Sequence, residues 1–362
     1  MALGWVDEAS SLTLGSLRMS LLPDGKLPVQ LLRELLSRLA IDDVRVKVGP
    51  AVGEDAAAID RGDHYLLLAA DPITFLPQRI GWYAVQVNAN DIAAMGGKPQ
   101  YFLSTILLPS GGATEEMVRE ILSDITSACR ELGCLAVGGH TEVTGGIDRP
   151  IVAGAMVGEV EKDKLLTSGG AQPGDMVLVT KGIAIEATAI LAQERAREVR
   201  ESFGEEFQTK AAGFLTDPGI SVVPASVAAV EAGGITAMHD VTEGGIANAL
   251  WEVAEASNVG MVAIESEIPR FWESTRLAER FRMDLLGAIG SGALILTASE
   301  PATEGLLKAM GEKGTDAFVI GRVVPKDQGV LMVRGKERLP LPRFLTDEVG
   351  RVLSEASTGP SE

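Results

Sequence analysis

Five short segments of this sequence share one design: an acidic residue in a turn or at a strand end, beside Gly, Ala or Thr. They are Gly53-Glu54-Asp55-Ala56-Ala57, Ala70-Asp71-Pro72-Ile73-Thr74, the run VNANDIAAMGG over 87–97, GGHTEVT over 138–144, and HDVTEGG over 239–245. Hard divalent cations take carboxylate and carbonyl oxygens, and Mg²⁺ commonly bridges protein carboxylates to substrate phosphates. Glycines beside such acids let the backbone approach a phosphate and present N–H donors to it. Two carboxylates about 5 Å apart repel by roughly 3 kcal/mol at an effective dielectric near 20, so several gathered at one site call for cations. Taken singly, each acid reads equally as a helix cap or the start of a turn. Asp91 is the hardest to dismiss, because Asn88, Asn90 and Asp91 crowd polar groups into a helix whose remaining face is apolar, and such groups need partners when buried.

Other chemistries find less support. No Walker A loop is present: Gly97-Lys98 is followed by Pro99, and no glycine stands five residues before Gly97. The glycines 287, 290 and 292 do not make GxGxxG. Cys129 and Cys134 have no accompanying His/Cys pair and read as ordinary thiols rather than zinc ligands. His140 and His239 each sit in an acidic segment, where a structural hydrogen bond and a catalytic role are equally compatible with the sequence.

The elements that must position these segments come from 362 residues, a length that favours two domains. Fifty acids against 32 Lys and Arg give a net charge of −18, which argues against a nucleic-acid backbone or an anionic membrane as the main partner. Two cysteines in so long a chain, with no basic region before an apolar stretch in residues 1–20, predict a reducing, cytoplasmic setting. No uncharged run is long enough to span a bilayer. Apolar periodicity predicts helices over 27–39, 81–95, 114–132, 185–200, 221–232, 244–257 and 301–310. Strands are predicted over 65–70, 101–108, 134–137, 151–160, 176–180, 259–264, 293–297 and 318–324. Thr114 is the expected N-cap of its helix. The stretch 204–214 has no clear reading. Strands and helices mix without strict β-α-β alternation, so the expectation is two α+β domains. The Gly-rich stretch 167–175 opens the second domain, giving a loose extension 1–25, domains 26–166 and 167–345, and a solvated tail 346–362.

Taken in order, the five segments resemble the family of aminoimidazole ribonucleotide synthase. That family includes thiamine-monophosphate kinase, selenophosphate synthase and the hydrogenase-maturation dehydratase HypE. The resemblance runs from Leu27 to Val333 and looks closest to the HypE-like branch. It implies an N-terminal domain that forms a strand barrel with a second copy in a homodimer, an α+β C-terminal domain, and ATP with Mg²⁺ in a cleft between domains. By the same carry-over, Asp55, Asp71, Asp91, Glu142 and Asp240 would hold the metal. Asn88, Asp91, Gly96, Gly138, Gly139 and Thr141 would line the nucleotide's phosphates. No catalytic residue is assigned. The implied activity is phosphoryl transfer that activates an oxygen of a small-molecule or protein-borne acceptor. The alternatives are a small-metabolite kinase of the thiamine-monophosphate type and a nucleotide-binding maturation partner without turnover. Two departures stand out. Where the family often has Asp-Thr after the Gly pair, this chain has His140-Thr141-Glu142, so His140 or Glu142 would take over that role. The dehydratase acts on a cysteine at its own C-terminus, whereas the last cysteine here is Cys134.

Overall fold

The computed structural model describes residue 22 and residues 25–39, 41–74 and 78–357. The chain enters through α1 (Val29–Leu36), β1 (Val46–Val48), β2 (Ala57–Asp60), β3 (His64–Ala69) and β4 (Pro72–Ile73). It continues with α2 (Ile80–Ala94), β5 (Lys98–Pro109), α3 (Glu115–Leu132), β6 (Leu135–Thr144) and β7 (Ile151–Glu161). These strands form one sheet in the order β1-β2-β3-β7-β5-β6, with β4 also paired to β7. Strand β7 shows why one face of the sheet is core: Val152, Met156 and Val160 are buried at even spacing, the period of a strand. Helix α3 starts where expected, with Thr114 Oγ1 accepting from the Met117 N–H at 3.1 Å, and ends at Gly133 in the left-handed region.

The second half comprises β8 (Met176–Thr180), α4 (Ile185–Glu194), α5 (Ala196–Phe203), α6 (Glu205–Ala212), α7 (Val223–Ala232), β9 (Ile235–Asp240) and α8 (Gly245–Ala256). Then follow β10 (Gly260–Ile264), α9 (Trp272–Phe281), β11 (Leu294–Ala298), α10 (Glu300–Glu312), β12 (Ala317–Val324), β13 (Val330–Arg334), β14 (Glu337–Pro340) and α11 (Glu348–Ser357). Its sheet runs β14-β13-β10-β12-β8-β11-β9. The architecture is two α+β domains, each a mixed sheet with helices. Among the described residues no helix is long and apolar enough to cross a membrane.

Helix α2 joins the halves. Every residue from Ile80 to Ala94 is buried, because one side packs on β7 and the other meets α7 and β9. The joint is stitched by side chains bonded to backbone: Asn90 Nδ2 donates to the Ile220 carbonyl at 2.9 Å, Asn90 Oδ1 accepts from the Val222 N–H at 2.8 Å, and Ser226 Oγ donates to the Ala93 carbonyl at 2.6 Å. Gly81 has a steric reason to be glycine, since a Cβ there would lie 2.3 Å from the Ile121 carbonyl of α3.

Three expectations change, and one open stretch is filled. The helix read over 185–200 is two, α4 and α5, broken at Arg195, whose guanidinium turns to the carbonyls of Val352 and Leu353. The GGHTEVT segment is the interior of β6 rather than a turn. The segment read as a tail from 346 begins with α11, whose Val349 and Val352 are buried; residues 358–362 lie outside the described residues. The unclear stretch 204–214 contains α6. Most of the extension 1–25 also lies outside the described residues.

Candidate functional site

Four of the five aspartate and glutamate positions read as metal ligands converge. Asp55 precedes β2, Asp71 follows β3, Asp91 lies within α2 and Asp240 ends β9. Three belong to the first domain and one to the second. Asp91 faces Asp240, Asp71 and Asp55, and Asp240 faces Asp55 and Asp71. Asp55, His239 and Asp240 each bring a ligand atom within 4.8 Å of the others. Asp55 Oδ2 and Asp240 Oδ2 are buried without a hydrogen-bond partner, as is Glu54 Oε2.

The electrostatics follow from burial and repulsion. Burial, then the neighbouring Asp55 charge, pushes the Asp240 carboxyl up to about 8. Burial and the Glu243 charge push Asp71 to about 6. Burial and the three facing carboxylates hold Asp91 well above the usual range, and burial with the Asp55 charge raises Glu54 to about 7. His239 is the counterweight. Burial alone would lower its imidazole, but Asp55 and Glu252 outweigh that and hold it well above its ordinary value. Its Nδ1 lies 2.7 Å from Asp55 Oδ1 and its Nε2 lies 3.0 Å from Glu252 Oε2. With both ring nitrogens engaged, His239 orients Asp55 rather than competing as a ligand. A second cation comes from Lys26, whose Nζ donates to Thr242 Oγ1 at 2.8 Å and lies 3.6 Å from Glu243 and 3.9 Å from Glu252. Oxygen ligands with unpartnered lone pairs suit a hard divalent cation.

The other expected site residues are placed differently. Asn88 lies beneath Asp71 and spends its amide on backbone: Oδ1 accepts from the Asp71 N–H at 2.9 Å, and Nδ2 donates to the carbonyls of Asp71 and Ala84. It therefore fixes the loop that carries Asp71. Asn88→Ala would leave the Asp71 N–H without that partner and is expected to cost about 1–3 kcal/mol, read as a lowered denaturant midpoint at unchanged m-value. Gly96 closes the turn after α2 with φ +76°, and a Cβ there would meet the Lys164 carbonyl at 2.4 Å. Gly138, Gly139, Thr141 and Glu142 lie on the exposed strand β6, where His140 Nε2 is 3.1 Å from Glu142 Oε2. Gly139 is forced by its neighbour strand, since a Cβ would lie 2.0 Å from the Ser104 carbonyl. The monomer thus gathers the aspartates and leaves the β6 residues apart from them.

Lys26, Glu54 and Glu252 were not singled out by the sequence. Glu252 was legible in part, as an acid among the apolar residues of α8; Lys26 fell at the edge of a segment read as loose.

Comparison with known proteins settles the lineage. Residues 53–160 match the N-terminal domain of AIR synthase related proteins, and residues 172–334 match their C-terminal domain. The chain belongs to the AIR synthase related family. A putative hydrogenase expression/formation protein of Methanocaldococcus jannaschii is 29% identical over 91% of this chain and 97% of its own length. The carbamoyl dehydratase HypE of Cupriavidus necator is 28% identical over 86% and 87%. The thiamine-monophosphate kinase of Pyrococcus horikoshii is 28% identical over 80% and 89%. In fold, the chain matches HypE in its complex with HypF (TM-score 0.70, 21% identity, covering 88% of this chain and 100% of the other). It also matches HypE in complex with ATP (TM-score 0.67, 24% identity, 88% and 91%). The two-domain architecture of this family is therefore the fold of this chain.

Proposed function

We propose that this protein is an ATP- and Mg²⁺-dependent enzyme of the HypE-like branch that activates an oxygen of its acceptor by phosphoryl transfer, working in the cytoplasm as a homodimer. The observation that carries the reading is the meeting of Asp55 Oδ2 and Asp240 Oδ2, buried, unpartnered and from different domains, in one cluster with Asp71 and Asp91. Asp55, Asp71, Asp91 and Asp240 would hold Mg²⁺, which supplies neutralising charge to the phosphates. His239 keeps Asp55 oriented, and Lys26 offsets charge at the mouth. In this reading Gly138, Gly139, Thr141 and Glu142, which lie apart from the aspartates within one chain, complete the phosphate region from β6 of the second copy in the homodimer. The acceptor oxygen forms a bond to the γ-phosphorus as the bond to the β,γ-bridging oxygen breaks and ADP leaves with the electron pair; positioning and electrostatics do most of the work. The relative named carbamoyl dehydratase supports this class, and the fold neighbour solved with ATP supports the nucleotide. Calorimetric titration with ATP is expected to show tight binding with Mg²⁺ and at least tenfold weaker binding in EDTA. Equal affinity in the two would overturn metal-mediated binding.

The likeness to a thiamine-monophosphate kinase supports a second reading, a small-metabolite kinase. Phosphorylation of thiamine monophosphate by the purified protein would favour it over the first.

The homodimer reading is supported by an uncovered apolar surface on the first sheet. Leu135 is 62% and Val143 60% exposed on β6, Tyr101 and Leu103 lie exposed on β5 beside it, and Leu68 is exposed on β3 of the same sheet. An open strand edge of this kind is a pairing liability unless covered. Light scattering at micromolar concentration is expected to give about twice the 38.0 kDa of one chain; a monomer mass would contradict it.

A further inference from the structure

The two cysteines of the chain meet at the end of α3. That helix closes with a pair of backbone bonds: the Gly133 N–H donates to the Arg130 carbonyl at 3.3 Å, and the Cys134 N–H donates to the Cys129 carbonyl at 2.9 Å. Gly133 takes the left-handed conformation this ending needs, at φ +69°. A helix end of this kind commonly sets the side chains of the two residues joined by the longer bond against one another, and here both are cysteine. With standard covalent geometry, the bond between Cys129 and Cys134 keeps their Cα atoms within about 6.8 Å of each other, inside the span that a disulfide bridges. The two thiols hydrogen-bond to one another, and neither is in a disulfide. A single buried cysteine calls for no more than packing. Two at the contact positions of one helix end make a dithiol.

We propose that Cys129 and Cys134 are a reversible redox pair, a dithiol in the reduced protein that hydrogen peroxide closes to an intrachain disulfide without unfolding the chain. The hydrogen bond from the Cys129 thiol holds the Cys134 thiol below its ordinary range, and the same bond, with burial, holds Cys129 above it. Cys134 is therefore the first to react, since the thiolate is the nucleophile. Its sulfur bonds to one peroxide oxygen as the O–O bond breaks, giving a sulfenic acid and one water. The Cys129 sulfur then bonds to the Cys134 sulfur as the S–O bond breaks and a second water leaves. Two thiols lose two electrons and two protons, and one peroxide becomes two waters. Cys129 is 3% and Cys134 4% exposed, so a small neutral oxidant has better access than a bulky disulfide. The new bond would tie the last turn of α3 to the root of β6, the strand that carries Gly138, Gly139, Thr141 and Glu142. That turn is already held to α2, because Trp82 Nε1 donates to Glu131 Oε2 at 2.9 Å. Oxidation would thus brace the corner at which α2, α3 and β6 meet.

The test treats the folded full chain with dilute hydrogen peroxide, blocks remaining thiols with iodoacetamide in denaturant, and reads the tryptic fragments by mass. Arg130 stands between the two cysteines, so trypsin separates them unless a disulfide joins the fragments. Wild type is expected to give the joined pair, lacking two hydrogens and carrying no alkyl group, and dithiothreitol should return both free thiols. Cys129→Ser removes the partner and should leave a sulfenic acid at Cys134. Dimedone should capture it at least tenfold more than in wild type, where ring closure competes. The Tm of the oxidised wild type should equal or exceed that of the reduced form, because the fold already holds the two residues at bridging distance. Two alkylated thiols after peroxide, a sulfinic acid at one of them, disulfide-linked dimers, equal dimedone capture in wild type and variant, or a lower Tm on oxidation overturns the proposal. Should Cys129→Ser fail to fold, the joined fragments and the Tm of wild type decide.

Discussion

Replacing Asp91 with asparagine is expected to weaken Mg-ATP binding more than tenfold, a loss above about 1.4 kcal/mol, while leaving the free protein folded with its Tm unchanged or raised. The two halves of this expectation have one cause. In the free protein, burial and the charges of Asp240, Asp71 and Asp55 hold the Asp91 carboxyl well above the usual range. The site thus disfavours charge at this position, and asparagine is the neutral isostere, so packing inside α2 changes little. In the bound state the same side chain must be an anion to ligate a cation, and asparagine cannot supply that charge. Calorimetry and thermal denaturation of the variant give both numbers. A variant that unfolds would mean Asp91 serves the joint between domains; one that binds as tightly as wild type would remove it from the ligand set. Asp240→Asn should behave alike.

Mg-ATP affinity is also expected to rise steeply with pH. Asp240 sits near pKa 8 and Asp71 near 6 in the free protein, and both must give up their protons to ligate a cation. Two pH units below its pKa an acid is about 1% ionised, so at pH 6 Asp240 alone weakens binding roughly a hundredfold relative to pH above 8. Log affinity should rise by about one unit per pH unit between pH 6 and 8 and more steeply below 6, where Asp71 is protonated too, and Asp240→Asn should flatten the profile between 6 and 8. Stability runs the other way. The folded values lie above the unfolded aspartate value of about 3.9, so the folded state binds protons more tightly. The stability this confers is present below about pH 4 and is lost as pH climbs through 6 and then 8. The Tm of the free protein should therefore fall over that interval, and saturating Mg-ATP should reverse the trend. Affinity that is flat from pH 6 to 8.5 would show that these carboxyls are already ionised and that repulsion does not govern the site.

The parts of the molecule legible in the sequence were those with a strong local signal. The apolar period of α3 and its Thr114 cap identified that helix almost to the residue. The alternation in β7 did the same for a strand. Asp55, Asp71, Asp91 and Asp240 were picked out as a set, because the acidic segments that carry them resemble the family in their order; singly, each read equally as a helix cap or the start of a turn. What could not be read was anything set by tertiary contact. Strand β9 (ITAMHD) is short, follows two glycines and ends in polar residues, so its strand character depends on pairing with β11. GGHTEVT looked like a turn because glycine pairs usually are; here the close approach of β5 demands a glycine at 139 inside a strand. The break at Arg195 depends on carbonyls more than 150 residues away. Asn88 carried a polar signal that was real, but its partner turned out to be the Asp71 backbone.

The buried seam along α2 has a consequence for how the chain can be cut and rejoined. Its stitches run from side chain to backbone across a buried interface, at Asn90 and at Ser226, and none passes through the Gly-rich link over 167–175. Covalent continuity there is a convenience of synthesis rather than a strut. The two halves, made as separate chains, would each present half of one hydrophobic seam, insoluble alone and complementary together. Expressed in the same cell they should find one another, and because Asp91 and Asp240 come from opposite halves, recovery of nucleotide binding would report the reunion.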